Sequence, residues 1–181
     1  MPKDLIISSN LLPNPVPNSV PHGLPHRTPD RAFLLAHPAH FLALGFGAGL
    51  SPKAPGTVGT LVALPLYWLL AAHPFYWLWI SFFLLIGIWA CEVTGRNLGV
   101  PDHGGMVWDE IAAFLLVLPF APATWLGWLL AFALFRLFDI WKPFPIGWLD
   151  ARVPGGFGVM LDDVLAAIYA IVCLLALALW K

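Results

Sequence analysis

Four apolar stretches dominate the chain: Phe33 to Leu50, Leu61 to Ala90, Ile111 to Phe135 and Val164 to Trp180. All are too long for the strands of a soluble sheet. Backbone exposed to lipid must satisfy its own hydrogen bonds, which a helix does within one segment, so the pattern predicts an all-α fold. Prolines divide the stretches further. His73-Pro74 splits the second into unequal halves, and Pro119-Phe-Ala-Pro122 breaks the third, because proline lacks an amide donor and clashes with the preceding turn.

Between the stretches lie polar islands, and their spacing poses a parity problem. Most acidic side chains fall within residues 92 to 110 and 139 to 163, separated by the 25 residues from Ile111 to Phe135. One straight crossing would place the two groups on opposite faces of a membrane. For them to form one site, the chain must turn back at Pro119 to Pro122. A full span needs about 20 residues. The expectation is therefore a helical integral membrane protein with short or re-entrant hairpins and room for one true span.

Composition supports lipid as the solvent. The chain of 181 residues is 60% hydrophobic and 10% charged, with ten tryptophans, a side chain that favours the water-lipid boundary. A net charge of −1 excludes a nucleic-acid partner, which would require Lys and Arg gathered on one face. Residues 1 to 31 carry seven prolines and no long apolar run. They read as a disordered cytoplasmic tail, not a signal peptide, ahead of a membrane-embedded domain spanning 32 to 181. Cys91 and Cys173 sit in apolar runs and read as free buried thiols. A cysteine phosphatase would place an arginine six positions after its thiol, whereas Arg96 follows Cys91 by five.

The first island, Ser51-Pro-Lys-Ala-Pro-Gly-Thr-Val-Gly-Thr60, follows the glycine-rich segment Gly45 to Gly49. Lys53 brings a compact positive charge, and Thr57 or Thr60 would cap a helix whose first amides attract phosphate. An ordinary Pro/Gly loop with an N-cap has the same look, and no Walker lysine follows the glycines. In the second island Asp109 and Glu110 open an apolar helix, pointing about 100° apart. Capping and dipole effects of about 0.3 to 1 kcal/mol account for one such acid. Two acids beside a lipid-facing run point to function, since ionisable groups near hydrocarbon are costly.

In the third island Arg136 and Asp139 share a helical face, and Pro143 should end that helix near Lys142. This is either an intrahelical salt bridge or a cation ligand beside phosphate-holding bases. The fourth, Gly155-Gly-Phe-Gly-Val-Met-Leu-Asp162-Asp163, reads as a glycine loop delivering a second acid pair to a helix mouth. Together the acids would suit Mg2+, a hard cation that takes oxygen ligands and keeps several waters. The rival from another class is a small cation transporter, which would favour acids in mid-helix.

The same segments carry a family resemblance. Leu44 to Pro52 with Ala54-Pro-Gly-Thr-Val-Gly59, Asp102-His-Gly with Val107-Trp-Asp-Glu110, Phe135-Arg-Leu-Phe-Asp-Ile-Trp-Lys-Pro-Phe-Pro-Ile146 and Gly155 to Asp163 resemble the phosphatidylglycerophosphatase A family over roughly residues 40 to 170. The spaced motif of CDP-alcohol phosphotransferases and the arginine-histidine signatures of phosphatidic acid phosphatases are absent. The proline-rich tail lies outside the resemblance, and Glu92 fits none of its motifs.

The resemblance implies an all-helical enzyme that hydrolyses phosphatidylglycerophosphate to phosphatidylglycerol with Mg2+. It implies phospholipid biosynthesis at the cytoplasmic side of a bacterial inner membrane. By motif, Asp109, Glu110, Asp139, Asp162 and Asp163 are expected at the metal, with Asp109, Asp139 and Asp163 catalytic. Lys53, Thr57, Arg136 and Lys142 are expected at the phosphate. Without a cysteine or histidine signature, the expected nucleophile is a metal-activated water.

Overall fold

The computed structural model describes residues 28–180 and contains no strand among them. Of the expected tail, residues 1–27 lie outside the described residues. Helix α1 (Arg31–Ala36) begins where Asp30 Oδ1 accepts the Phe33 amide at 2.7 Å, a standard N-cap contact. Helix α2 (Pro38–Ala43) follows, with His37 as its cap. The first apolar stretch is thus not one helix. It ends in a 3₁₀ segment, Gly45–Leu50, that contains left-handed backbone at Gly45, Phe46 and Gly47.

The larger helices are α3 (Pro55–Leu70), α4 (Tyr76–Leu98), α5 (Trp108–Val117), α6 (Trp125–Trp141), the short α7 (Ile146–Asp150) and α8 (Gly155–Leu179). Their limits follow the prolines. The chain breaks around His73-Pro74, and a 3₁₀ turn at Leu118–Phe120 reverses it between α5 and α6. Thr124 caps α6 by accepting the Gly127 amide, and Lys142 ends that helix in left-handed backbone just before Pro143.

Helix α5 is the axis of the fold. Residues 111–115 together with Val117 are completely buried, enclosed mainly by α3, α4 and α8. Tyr76 Oη donates to Leu115 O at 2.5 Å and Trp108 Nε1 to Phe83 O at 3.0 Å, fixing α5 along α4. Helices α4 and α8, of 23 and 25 residues, are long and apolar enough to cross a membrane, two where the sequence left room for one. At about 1.5 Å per residue both exceed a 30 Å hydrocarbon core.

Large apolar side chains cover the outside, including Trp68, Leu69, Leu78, Leu85, Trp125, Trp141 and Leu179. That surface belongs in lipid, and the protein is an all-α membrane protein. Because α5 and α6 form a hairpin, the starts of α3, α5 and α8 and the ends of α4 and α6 lie together. Gly56, Glu110 and Arg136 meet there, as do Glu92 and Gly156. The opposite end is closed by aromatic pairs, Trp68 with Trp128 and Trp77 with Phe120.

Candidate active site

Two ion-pair groups stand at the shared end. In the first, Arg136 of α6 bridges Glu110 of α5 at 2.8 Å and Asp139, one turn on, at 2.6 Å. In the second, Lys142 at the end of α6 holds Asp162 of α8 and, at 3.1 Å, Asp150 of α7. Room for the first group comes from Gly56 on α3. A Cβ there would land on the Glu110 carboxylate and 3.1 Å from Arg136 Nη1.

Each adjacent acid pair has one member on a base and one without. Asp109 Oδ1 and Asp163 Oδ2 are buried and make no hydrogen bond, and so are Glu110 Oε2 and Arg136 Nε. Leaving such groups unmet costs about 1 to 3 kcal/mol each, more when charged. Burial pushes Asp109 well above the usual carboxylate range, and the charges of Glu110, Asp102 and Asp162 add to the effect. Burial lifts Glu110 to about 7, with Arg136 opposing. Burial alone would lower Lys142, but its bonds to Asp162 and Asp150 outweigh that and raise it. Among the described residues, no group of three or more His, Cys, Asp or Glu side chains is arranged to hold a metal ion.

The structure brings Asp109, Glu110, Arg136, Asp139, Lys142, Asp162 and Asp163 together. Lys53 is exposed on the loop before α3, and Thr57 is half-buried one residue after Gly56. Neither threonine caps α3: the cap position is Ala54, Pro55 fills the first turn, and Thr60 Oγ1 donates to Gly56 O at 2.8 Å. The glycines at 155–158 are not a loop either. They form the first turn of α8, so Asp162 and Asp163 sit about two turns inside it, not at its mouth. Placement at helix mouths therefore separates enzyme from transporter only for Asp109 and Glu110.

Two residues outside the expected set join the site. Asp150 pairs with Lys142. Asp102 lies on the loop before α5, where burial raises its carboxyl while Lys142 opposes. Asp102-His-Gly was legible as a motif; Asp150 had no distinguishing signal. The two cysteines are free, Cys91 buried and Cys173 half-buried.

Fold and site define a class, an all-α membrane protein that gathers acids and bases at one end of an apolar bundle, a setting suited to a charged lipid head group. A model of the phosphatidylglycerophosphatase A family matches residues 41–178. A phosphatidylglycerophosphatase A of Escherichia coli K12 is 42% identical over 137 residues, 74% of this chain and 80% of the relative. One from Haemophilus influenzae is 45% identical over 151 residues, 81% of this chain and 92% of the relative. A relative from Bacteroides thetaiotaomicron, 38% identical over 149 residues, covering 77% of this chain and 92% of its own, is provisionally named a phosphatidylinositol-3-phosphatase. No solved structure matches significantly. The chain belongs to the phosphatidylglycerophosphatase A family and is a lipid phosphatase.

Proposed function

We propose that the chain hydrolyses the terminal phosphate monoester of phosphatidylglycerophosphate with Mg2+, yielding phosphatidylglycerol for phospholipid synthesis at the cytoplasmic face of a bacterial inner membrane. One observation carries the metal reading: buried carboxylate oxygens of Asp109, Glu110 and Asp163 have no partner, beside an equally unpartnered Arg136 Nε. Acceptors without donors suit a cation, and a free guanidinium donor suits an anion. Mg2+ usually takes one or two carboxylates plus waters and phosphate, so a complete protein cage is not required. Asp109 and Asp163 would hold the ion, with Glu110 in support; bound there, it would offset phosphate charge and make a water more acidic.

The chain's own residues supply the rest. Arg136 Nε donates to a phosphate oxygen while Glu110 and Asp139 hold the guanidinium in place. Lys142, fixed by Asp162 and Asp150, places a second charge alongside. Lys53 and Thr57, on the segment beside Gly56, approach from the α3 side. Asp139 orients the attacking water or accepts its proton, and the fixed charges stabilise the transition state without reorganising.

The test is phosphate release in detergent micelles from phosphatidylglycerophosphate, phosphatidylinositol 3-phosphate and phosphatidic acid, with Mg2+ or excess EDTA. The expected result is preference for the first substrate, loss with EDTA and loss in Asp139→Asn with membrane insertion intact. Activity that persists in EDTA would overturn the metal reading. Preference for the inositol lipid would overturn the substrate.

A further inference from the structure

Helices α3 and α6 meet at Arg136 without packing closely on one another. Helix α3 packs on α5 and α6 on α8, and α4 packs on both α5 and α8. On the other flank of α3, towards α4, the site end is filled by α2 and the 3₁₀ segment. Among the described residues, the seam between α3 and α6 is therefore the flank of the site that helix packing leaves unsealed.

The seam has a head, a floor and a foot. At the head, a Cβ on Gly56 would lie 3.1 Å from Arg136 Nη1, so the glycine clears space beside the guanidinium. On the floor, Phe114 of α5, one turn after Glu110, meets Phe132 of α6 with ring centroids 6.1 Å apart. At the foot, Trp68 of α3 meets Trp128 of α6 at 5.8 Å. Spacing supplies the walls: Thr57, Leu61 and Trp68 share one face of α3, and Trp128, Phe132 and Arg136 share one face of α6. Leu61 is 47% exposed, and Trp68 63% despite its ring contact. Beyond Arg136 both walls are free of charge, since residues 58–70 and 125–135 contain no Asp, Glu, Lys or Arg. From Arg136 to Trp128 the seam runs about 12 Å, close to the depth of one leaflet, half of a hydrocarbon core about 30 Å thick.

Resting on the reading of this site as a phosphate-handling centre, we infer that the α3–α6 seam seats an acyl chain of the lipid substrate, which enters sideways from one leaflet and brings its phosphate monoester to Arg136. Charge and shape agree on that occupant. A buried base with an unpartnered Nε heads the seam, and an apolar trough of leaflet depth continues from it. An apolar helix of a second copy would satisfy the walls alone, whereas a phospholipid satisfies walls and base together.

The test is photolabelling of the full-length protein in phosphatidylcholine nanodiscs by phosphatidylglycerophosphate carrying a diazirine on one acyl chain, with labelled peptides mapped and phosphate release measured in parallel. Label should concentrate on residues 57–68 and 128–136 and be competed by unlabelled phosphatidylglycerophosphate, not by phosphatidylglycerol. Leu61→Trp, which fills the seam, should lower both seam labelling and kcat/KM, the latter roughly tenfold. Leu85→Trp, an equally bulky change on the exposed face of α4, should leave both at wild-type values. Label spread evenly over the outer faces of α4 and α8 while the lipid is hydrolysed would overturn the seam and leave the phosphatase reading standing. Seam label without competition would mark ordinary bilayer contact and also overturn it, and dimers that Leu61→Trp disperses would give the seam to a second copy. Competed seam label in a protein that releases no phosphate would uphold the seam and overturn the hydrolysis.

Discussion

The two acid pairs, Asp109-Glu110 and Asp162-Asp163, share one division of labour in different helical settings. In each, one member meets a base from α6, Glu110 through Oε1 on Arg136 and Asp162 on Lys142, while the other meets none; Glu110 Oε2 is buried without a partner, as are Asp109 Oδ1 and Asp163 Oδ2. Adjacent helical residues diverge by about 100°, so a pair can serve a base outside and a centre inside at once. The settings differ in depth. Asp109 and Glu110 occupy the first turn of α5, where helix-end amides and dipole favour negative charge; Asp162 and Asp163 lie about two turns inside α8, beyond that help. Capping therefore explains part of the first pair and none of the second, which is why the α8 pair speaks more strongly for function.

If the division is real, the inner and outer acids respond oppositely to neutralisation. Asp109→Asn and Asp163→Asn should each lower kcat on the order of 10²- to 10³-fold, the loss typical of removing a preorganised electrostatic group. Their melting temperatures should hold or rise, because a neutral amide replaces a carboxyl whose charged form burial disfavours. Glu110→Gln and Asp162→Asn remove the charge facing a half-buried base that keeps a second acid, Asp139 or Asp150. These should cost about 1 kcal/mol of stability and a smaller share of activity, roughly tenfold. Calorimetry alongside turnover checks both signs. Four variants that all melt lower would erase the distinction between inner and outer acids.

What the sequence disclosed follows the range of the forces involved. The breaks at His73-Pro74, at Pro119 to Pro122 and after Lys142 were legible because proline acts on its own turn. The acids and bases were legible because they interrupt long apolar runs. The start of α8 was not. Gly155, Gly156 and Gly158 look like a flexible loop, yet a Cβ on Gly156 would strike Ile88 O and one on Gly155 would strike the Glu92 carboxylate. Those glycines serve close approach of α8 to α4, a fact of tertiary packing. The first stretch divides twice, at His37, which is extended before Pro38, and again in left-handed backbone at Phe46, which nothing in that residue type announces.

The pairs also differ in how their helices are held, and this yields the smallest expected effect. Neither α5 nor α8 has a side-chain cap of its own at the cap residue. The start of α5 is fixed by the Val107 amide donating to Ala43 O at 2.8 Å. The start of α8 is held by another helix: Glu92 Oε2 accepts the Gly156 amide at 2.7 Å, while Arg96 holds the other carboxylate oxygen at 2.6 Å. Glu92, outside every recognised motif, thus acts as a borrowed N-cap for the helix that carries Asp162 and Asp163. Glu92→Ala should cost about 1 kcal/mol, as loss of a cap does, and lower kcat only a few-fold. Glu92→Gln, which keeps an acceptor, should be nearly silent. Hydrogen exchange localises the effect: amides at Gly156 and Phe157 should exchange faster in the Ala variant, with those at Trp108 to Glu110 unchanged. Equal acceleration at both helix starts would mean that Glu92 supports the bundle as a whole and that the two acid pairs are not held independently.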